Sequence, residues 1–358
     1  MKILYVITGL AQGGAERVVC DLADKMLEKG HEVKIAYLTG EVFTRPHYNE
    51  IELIQINLTE AHSLPRAYLK ISKIIRDYRP DVVHAHMVHA NILSRLIRIT
   101  TPMAKLICTA HNSNEGGYIR KLAYRITHNL ADLTTNVSKT AVSSFEIDRA
   151  VPKGSMKCVY NGVNFNSFTY HSSAREEIIK ELTLKIDRKI ILAVGRFNEQ
   201  KNYPNLLKAV SYLKKQTNED FLLLIAGDGE LRKEIEALIV QLDINDEVIL
   251  LGRRNDIPTL MSACDVFVLS SDYEGLPTVL IEALACQAQV VSTDVSGVRE
   301  IVGTYGKIVP TKNSISLADA IKDRLQNSNK NVLAEQHVKN KFDLDFISDK
   351  WLKIYNEK

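Results

Sequence analysis

The segment Val266-Phe267-Val268-Leu269-Ser270-Ser271-Asp272-Tyr273-Glu274-Gly275-Leu276-Pro277-Thr278-Val279-Leu280-Ile281-Glu282-Ala283 reads in turn as a strand, a loop and a helix. The uninterrupted apolar run 266–269 suits a strand covered on both faces, as in a parallel sheet with crossover helices. Pro277 suits the first position of a helix, where its missing N–H costs nothing, so the helix is expected from Pro277 to Cys286. Gly275, Leu276, Pro277 and the first helical turn then present the positive end of a helix at the carboxyl edge of a strand, where open α/β sheets bind anions. Glu274 stands in the loop and Glu282 inside the helix; they read either as hydroxyl-binding groups or as two unrelated surface glutamates.

The same alternation extends in both directions. Strands are expected at 2–8, 32–38, 51–57, 81–86, 105–111 and 133–137, with helices near 16–29, 64–78, 89–99, 118–130 and 138–148. The polar run Asn161-Gly162-Val163-Asn164-Phe165-Asn166-Ser167 interrupts this pattern. Beyond it come strands at 189–194, 221–226, 247–251, 266–269 and 289–292, separated by helices near 203–215, 231–242, 258–263 and 277–286. The fold class is therefore α/β, with doubly wound domains at 1–165 and 166–343 and a helix at 344–358 that carries the single Trp351 and is expected to pack across the first domain.

Length and composition agree, since 358 residues exceed what one core usually supports, and 45% hydrophobic with 25% charged residues is ordinary for a globular chain. The five cysteines, Cys20, Cys108, Cys158, Cys264 and Cys286, are scattered and never spaced Cys-x-x-Cys, which suits small core residues in a reducing compartment. The apolar start Ile3 to Leu10 runs directly into Gly13-Gly14-Ala15-Glu16 and reads as a strand rather than a signal peptide. No run approaches the ~20 apolar residues of a membrane span. A cytoplasmic protein is expected, with peripheral contact on the inner face of the membrane as an open alternative. Residues 1–165 carry 21 Lys and Arg against 15 Asp and Glu, and the remainder 25 against 28. The basic half favours an anionic lipid or phosphorylated acceptor, although so small an excess equally fits solvated surface charge.

Further candidates lie at other strand ends. In Gly195-Arg196-Phe197-Asn198-Glu199-Gln200-Lys201-Asn202, the Arg196 fork and the Lys201 ammonium suit a pyrophosphate. Gly227 and Asp228 sit in a two-glycine turn, and Arg253 in Leu251-Gly252-Arg253-Arg254; these line a nucleotide or serve only as turns. Gly14 lies where backbone N–H groups can approach a phosphate, yet Gly-x-Gly-x-x-Gly is absent, which argues against nicotinamide binding. His84, His86, His89 and His111 cluster along the pattern, but no carboxylate joins them at metal-ligand spacing; His111, at a strand's carboxyl edge, is the choice for contacting a hydroxyl or phosphate. Arg66, Lys70, Lys73 and Arg76 share a helix face opposite Ala67, Ile71 and Ile75, with Arg120, Lys121 and Arg125 as a second basic patch. Both patches read as solvated surface or as membrane and acceptor contacts.

Together, Gly13-Gly14-Ala15-Glu16, His111-Asn112, Asn161-Gly162-Val163, Gly195-Arg196 with Lys201-Asn202, Ala226-Gly227-Asp228-Gly229 and the stretch from Glu274 to Glu282 resemble glycosyltransferase family 4 over nearly the whole chain. The resemblance implies the GT-B fold, two facing Rossmann-like domains with a cleft between them, and sugar transfer from a nucleotide diphosphate with retention of configuration. It also implies roles: Arg196 and Lys201 on the donor diphosphate, Glu282 on the ribose, Glu274 on the transferred sugar, Gly14 on a phosphate oxygen and His111 orienting the sugar. Asn164 stands where the family usually has Asp, and Gln200 separates Glu199 from Lys201. No metal or other cofactor is implied, because cations and helix N-termini stabilise the departing diphosphate. The expected donor is a UDP-linked hexose or N-acetylhexosamine. The expected acceptor is a lipid-linked oligosaccharide of cell-surface polysaccharide synthesis, and no nucleic acid is involved.

Two alternatives stand beside this reading. UDP-sugar 2-epimerases share the fold but lack the paired-glutamate motif and would release a sugar nucleotide. A two-lobed binding protein without chemistry would leave the paired diphosphate loops unexplained.

Overall fold

The computed structural model describes residues 1–11, 13–327 and 329–357. They form two units, Met1–Val163 joined by the stretch from Phe342 onward, and Asn164–Lys341. Both divisions fall two residues before the expected boundaries at 165 and 343.

The first unit contains β1 (Lys2–Ile7), α1 (Gly14–Glu28), β2 (Glu32–Tyr37), β3 (Glu52–Gln55), α2 (Leu64–Tyr78), β4 (Val82–His86), α3 (Val88–Arg98), β5 (Leu106–Ala110), α4 (Tyr118–Thr127), β6 (Leu133–Asn136), α5 (Lys139–Ile147) and β7 (Met156–Cys158). Its strands pair in parallel in the order β3-β2-β1-β4-β5-β6-β7. β4 and β5 are buried along their whole length, which is why their sequences are apolar or neutral throughout instead of alternating.

The second unit contains α6 (Ala174–Glu181), β8 (Lys189–Val194), α7 (Tyr203–Gln216), β9 (Phe221–Ala226), α8 (Arg232–Gln241), β10 (Val248–Gly252), α9 (Ile257–Ala263), β11 (Val266–Leu269), α10 (Thr278–Ala285), β12 (Gln289–Thr293), α11 (Val298–Val302), β13 (Gly306–Val309), α12 (Ser314–Gln326) and α13 (Val332–Phe342). Its sheet order is β10-β9-β8-β11-β12-β13. In each unit the order of connection reverses once, between β1 and β4 and between β8 and β11. Loops leaving those carboxyl ends turn to opposite faces and open a crevice at the strand edge, the usual ligand position in this topology.

The start of α10 differs from expectation. Pro277 has ψ 92, an extended conformation, and stands at the N-cap while α10 begins at Thr278. The strands β7 and β13 were not expected; each lies at a sheet edge and is too short to show a clear period.

The last helix, α14 (Leu344–Asn356), belongs to the first unit. Asp343 caps it by accepting the N–H groups of Asp345 and Phe346. Ile347, Trp351 and Tyr355, spaced four apart, bury one stripe in the same core as Tyr5, Val19 and Ile35. Gly162 permits this docking, since a Cβ there would lie 2.8 Å from Leu344 Cα. Val163 donates to Phe342 O at 2.9 Å and accepts from Leu344 N at 3.2 Å, so the two chain crossings run side by side. Trp351 is only 4% exposed, and Trp351→Ala is expected to cost about 3–5 kcal/mol. Denaturant unfolding followed by circular dichroism should show an earlier transition; an unchanged midpoint would mean that α14 does not hold the first unit together.

Candidate active site

The crevice between β8 and β11 holds a buried ion pair. Lys201, in the loop after β8, places Nζ 2.7 Å from Glu274 Oε1, in the loop after β11. Ser271 Oγ donates to the same oxygen at 2.8 Å, and Gln200 Nε2 donates to Glu274 Oε2 at 2.9 Å. The Glu274 side chain is 9% exposed and that of Lys201 18%, so the pair is largely withdrawn from water while keeping one open side. A carboxylate with three donors is fixed in direction as well as in charge.

The loops carrying the pair are tied to each other as well. Asp272 N donates to Gln200 O at 2.9 Å, Ser270 Oγ to Lys201 O at 2.8 Å, and Asn202 Nδ2 to Asp272 Oδ1 at 2.7 Å. Asn202 adopts φ 44, a left-handed conformation that asparagine tolerates, and its side-chain oxygen caps α7 by accepting Asn205 N–H. Gly275 and Leu276 then lead to the N-terminus of α10, with Leu276 5% exposed.

Glycine is required where neighbouring loops touch. At Gly227, φ is +152 and a Cβ would lie 2.0 Å from Gly195 O. The loop after β12 reaches the site through Gly297, whose Cβ would lie 2.7 Å from Gly275 O. Sequence reading passed over Gly297; the signal available was a glycine between an apolar strand and a short helix. It also named Ser271 and Gln200 without giving either a function.

Other candidates occupy the surroundings. Arg196 is exposed and pairs with Glu230 at 3.2 Å. Asp228 Oδ1 accepts Gly229 N–H at 3.0 Å, which makes it a turn-former. Arg253 is exposed, and its neighbour Arg254 is held by both Glu181 and Asp256. Glu282 lies half-buried in α10.

In the first unit, Gly14 opens α1, and the Glu16 carboxylate folds back over the turn so that a Cβ at Gly13 would meet it at 2.5 Å. His111 follows β5, and its Nε2 lies 2.9 Å from His86 Nδ1. His84 is satisfied on both nitrogens, by Tyr355 and Thr109, each at 2.7 Å. Burial holds His84 and His86 well below the ordinary imidazole range and lowers His111 to about 4. Among the described residues no group of three or more His, Cys, Asp or Glu side chains is arranged to hold a metal ion. Glu115, absent from the sequence candidates, accepts the His111 backbone N–H at 3.0 Å and the Tyr124 hydroxyl at 2.6 Å; burial pushes its carboxyl up.

The basic patches differ from expectation. On α2, Arg66, Lys73 and Arg76 are exposed, but Lys70 donates to Gln55 O at 2.6 Å along the edge strand β3. On α4, Arg120 donates to Glu115 O, Lys121 pairs with Asp148 at 2.6 Å, and Arg125 donates to Arg149 O. Beside the exposed Arg120 and Arg125, α4 turns four apolar side chains outward: Tyr118, Ile119, Leu122 and Ile126 are 78%, 82%, 42% and 71% exposed. At 100° per residue these four fall on one stripe.

Comparison with known proteins agrees with this geometry. Residues 12–167 match the family described as Glycosyltransferase Family 4, and residues 174–341 match Glycosyl transferases group 1. The chain belongs to glycosyltransferase family 4. A family relative from Campylobacter jejuni, a GalNAc-alpha-(1->4)-GalNAc-alpha-(1->3)-diNAcBac-PP-undecaprenol alpha-1,4-N-acetyl-D-galactosaminyltransferase, is 29% identical over 100% of this chain and 99% of its own. A second from the same organism, an N-acetylgalactosamine-N,N'-diacetylbacillosaminyl-diphospho-undecaprenol 4-alpha-N-acetylgalactosaminyltransferase, is 28% identical over 91% of this chain and 90% of its own. Anabaena HepE, solved with UDP and glucose, superposes with a TM-score of 0.83 at 21% identity over 99% of both chains. The fold of this family-4 chain is thus GT-B.

Removing one partner of a buried ion pair strands the other, at a cost of roughly 3–5 kcal/mol when fully buried. Because Lys201 retains an open side, Lys201→Met should cost about 2 kcal/mol. Adding Glu274→Gln should recover most of that loss, measured by chemical unfolding. Additive losses would show that the two side chains are not coupled.

Proposed function

We propose that this glycosyltransferase moves a hexose or N-acetylhexosamine from UDP to a lipid-linked glycan, with retention and without a metal, at the cytoplasmic face of the membrane. The Lys201–Glu274 pair beside the N-terminus of α10 is the observation that carries the reading. It sets a cation and a fixed acceptor side by side at the strand edge where a diphosphate and its sugar would lie. The names of the two Campylobacter relatives, acting on undecaprenol-linked sugars, support the acceptor class. The UDP held by HepE supports the nucleotide.

In this mechanism the donor diphosphate draws Lys201 toward its oxygens, with Arg196 and the N–H groups at Gly275, Leu276 and the first turn of α10 adding positive potential. Pro277 contributes no N–H and fixes the entry to the helix. Glu274, still held by Gln200 and Ser271, accepts a hydroxyl of the sugar, while Glu282 takes the ribose and Gly227, Asp228 and Arg253 line the nucleotide. The bond from the anomeric carbon to the phosphate oxygen breaks as the acceptor oxygen bonds to that carbon on the same face. The acceptor proton passes to the departing phosphate.

Glu274→Ala is expected to lower kcat by about 10²–10³-fold, the usual loss for one fixed polar group at a reacting centre, while UDP affinity survives. The assay follows transfer of radiolabelled sugar to extracted lipid-linked acceptor; normal turnover would remove Glu274 from the chemistry, and release of a free altered UDP-sugar would favour an epimerase.

For the membrane contact, the outward apolar stripe of α4 within the basic first unit suits an anionic bilayer surface, with Arg66, Lys73 and Arg76 adding charge. No helix among the described residues is long and apolar enough to cross a membrane. Ile119→Gln/Leu122→Gln/Ile126→Gln should abolish flotation with phosphatidylglycerol vesicles while sparing turnover on a soluble acceptor analogue. Unchanged flotation would discard α4 as the contact.

A further inference from the structure

The two members of the ion pair after β8 and β11 are held unequally. Besides the Lys201 ammonium, Glu274 keeps Ser271 Oγ on Oε1 at 2.8 Å and Gln200 Nε2 on Oε2 at 2.9 Å. These neutral donors are themselves fixed. Gln200 Nε2 also donates to Tyr273 O at 3.0 Å, and the fully buried Ser271 has its carbonyl taken by Thr293 Oγ1 at 2.6 Å. Lys201 Nζ, by contrast, donates to Glu274 alone among the described residues. Its stem lies against the Gly195 backbone, where a Cβ would come within 3.1 Å of Lys201 Cε, so the ammonium is the movable end of a side chain anchored at the end of β8.

That asymmetry decides what an incoming anion meets. An ammonium carries three N–H groups and Lys201 spends one on Glu274, so a phosphate oxygen can reach it. Two anions then share one cation in a site largely withdrawn from water, where their repulsion is weakly screened. Glu274 cannot follow Lys201, because Gln200 and Ser271 hold it in place. A buried carboxylate whose cation is drawn away needs another donor, and leaving it without one is costly. A sugar hydroxyl supplies that proton. Free UDP, whose phosphate end carries only acceptors at neutral pH, does not.

We propose that Glu274 is a built-in competitor of the diphosphate for Lys201, so that the site holds an intact nucleotide sugar, whose hydroxyl takes the place of the ammonium on Glu274 Oε1, in preference to the nucleoside diphosphate left after transfer. Once the sugar has gone, Lys201 returns to Glu274, the diphosphate loses its cation and the product leaves. The inference rests on the proposed reading of this crevice as the diphosphate site, and adds to it a reason for the site to tell donor from product.

The test is calorimetric titration of the full chain with UDP and with uridine, comparing the wild type, Glu274→Gln, Lys201→Met and the double variant. Glu274→Gln keeps the size of the side chain and removes its charge; it should bind UDP about tenfold more tightly, the scale of one screened charge beside the ligand, with uridine affinity unchanged. In the Lys201→Met background the same substitution should lose most of that gain, since no ammonium remains to be released. UDP binding that Glu274→Gln leaves unchanged or weakens overturns the proposal while the diphosphate site stands. An equal gain for uridine, or a full gain without Lys201, overturns it as well, because loop geometry or plain repulsion would then be the cause. The wild type gives a reading that needs no variant to fold: whichever of UDP-glucose, UDP-galactose and their N-acetyl forms binds should bind more tightly than UDP, and the reverse order contradicts the proposal. Absence of UDP binding by the wild type removes the site and the proposal together.

Discussion

The carboxylate of Glu274 is the constraint on which the second unit's strand edge is organised. Its three donors come from two loops, after β8 and after β11, that the reversal of strand order sends to opposite faces of the sheet. The adjacency of β8 and β11 brings these loops together, and the carboxylate joins them through charge as well as hydrogen bonds. The contacts at Asp272 and Ser270 reinforce that convergence, and the close glycine approaches at Gly227 and Gly297 pack the neighbouring loops against it. In the proposed mechanism Glu274, held by Gln200 and Ser271, is oriented before any ligand arrives, while Lys201 shifts toward the diphosphate.

The first unit repeats the topology and fills it differently. Where the second unit sets an ion pair at its reversal, the first sets neutral imidazoles: His84 locked by Tyr355 and Thr109, and His86 bonded to His111. Tyr355 comes from α14, so the helix that closes the chain also completes the packing behind these histidines. The two similar folds thus differ in which groups their strand edges carry.

Much of this was legible in the sequence. Buried parallel strands such as 189–194 and 266–269 announce themselves as apolar runs, and the glycines and charges at their ends mark the ligand edge. Less legible were features that depend on distant partners. Lys201 and Glu274 are separated by 73 positions, and each alone reads as a ligand group; only the adjacency of β8 and β11 makes them a pair. Lys70 looks like part of a basic stripe until β3 supplies a carbonyl for it. The outward apolar stripe of α4 was hidden because periodicity reveals that a helix has two faces without saying which faces the core. Edge strands β7 and β13 were missed because three or four residues at a sheet margin carry no period.

The central claim is that the second unit binds a uridine diphosphate sugar through fixed protein charges alone. Isothermal calorimetry of the purified protein with UDP, GDP, ADP and their common sugars, all in EDTA, tests it most directly. The account predicts saturable binding of UDP and of one UDP-sugar in the absence of any divalent metal. Binding that appears only when metal is restored, or no binding of any nucleotide, would contradict it.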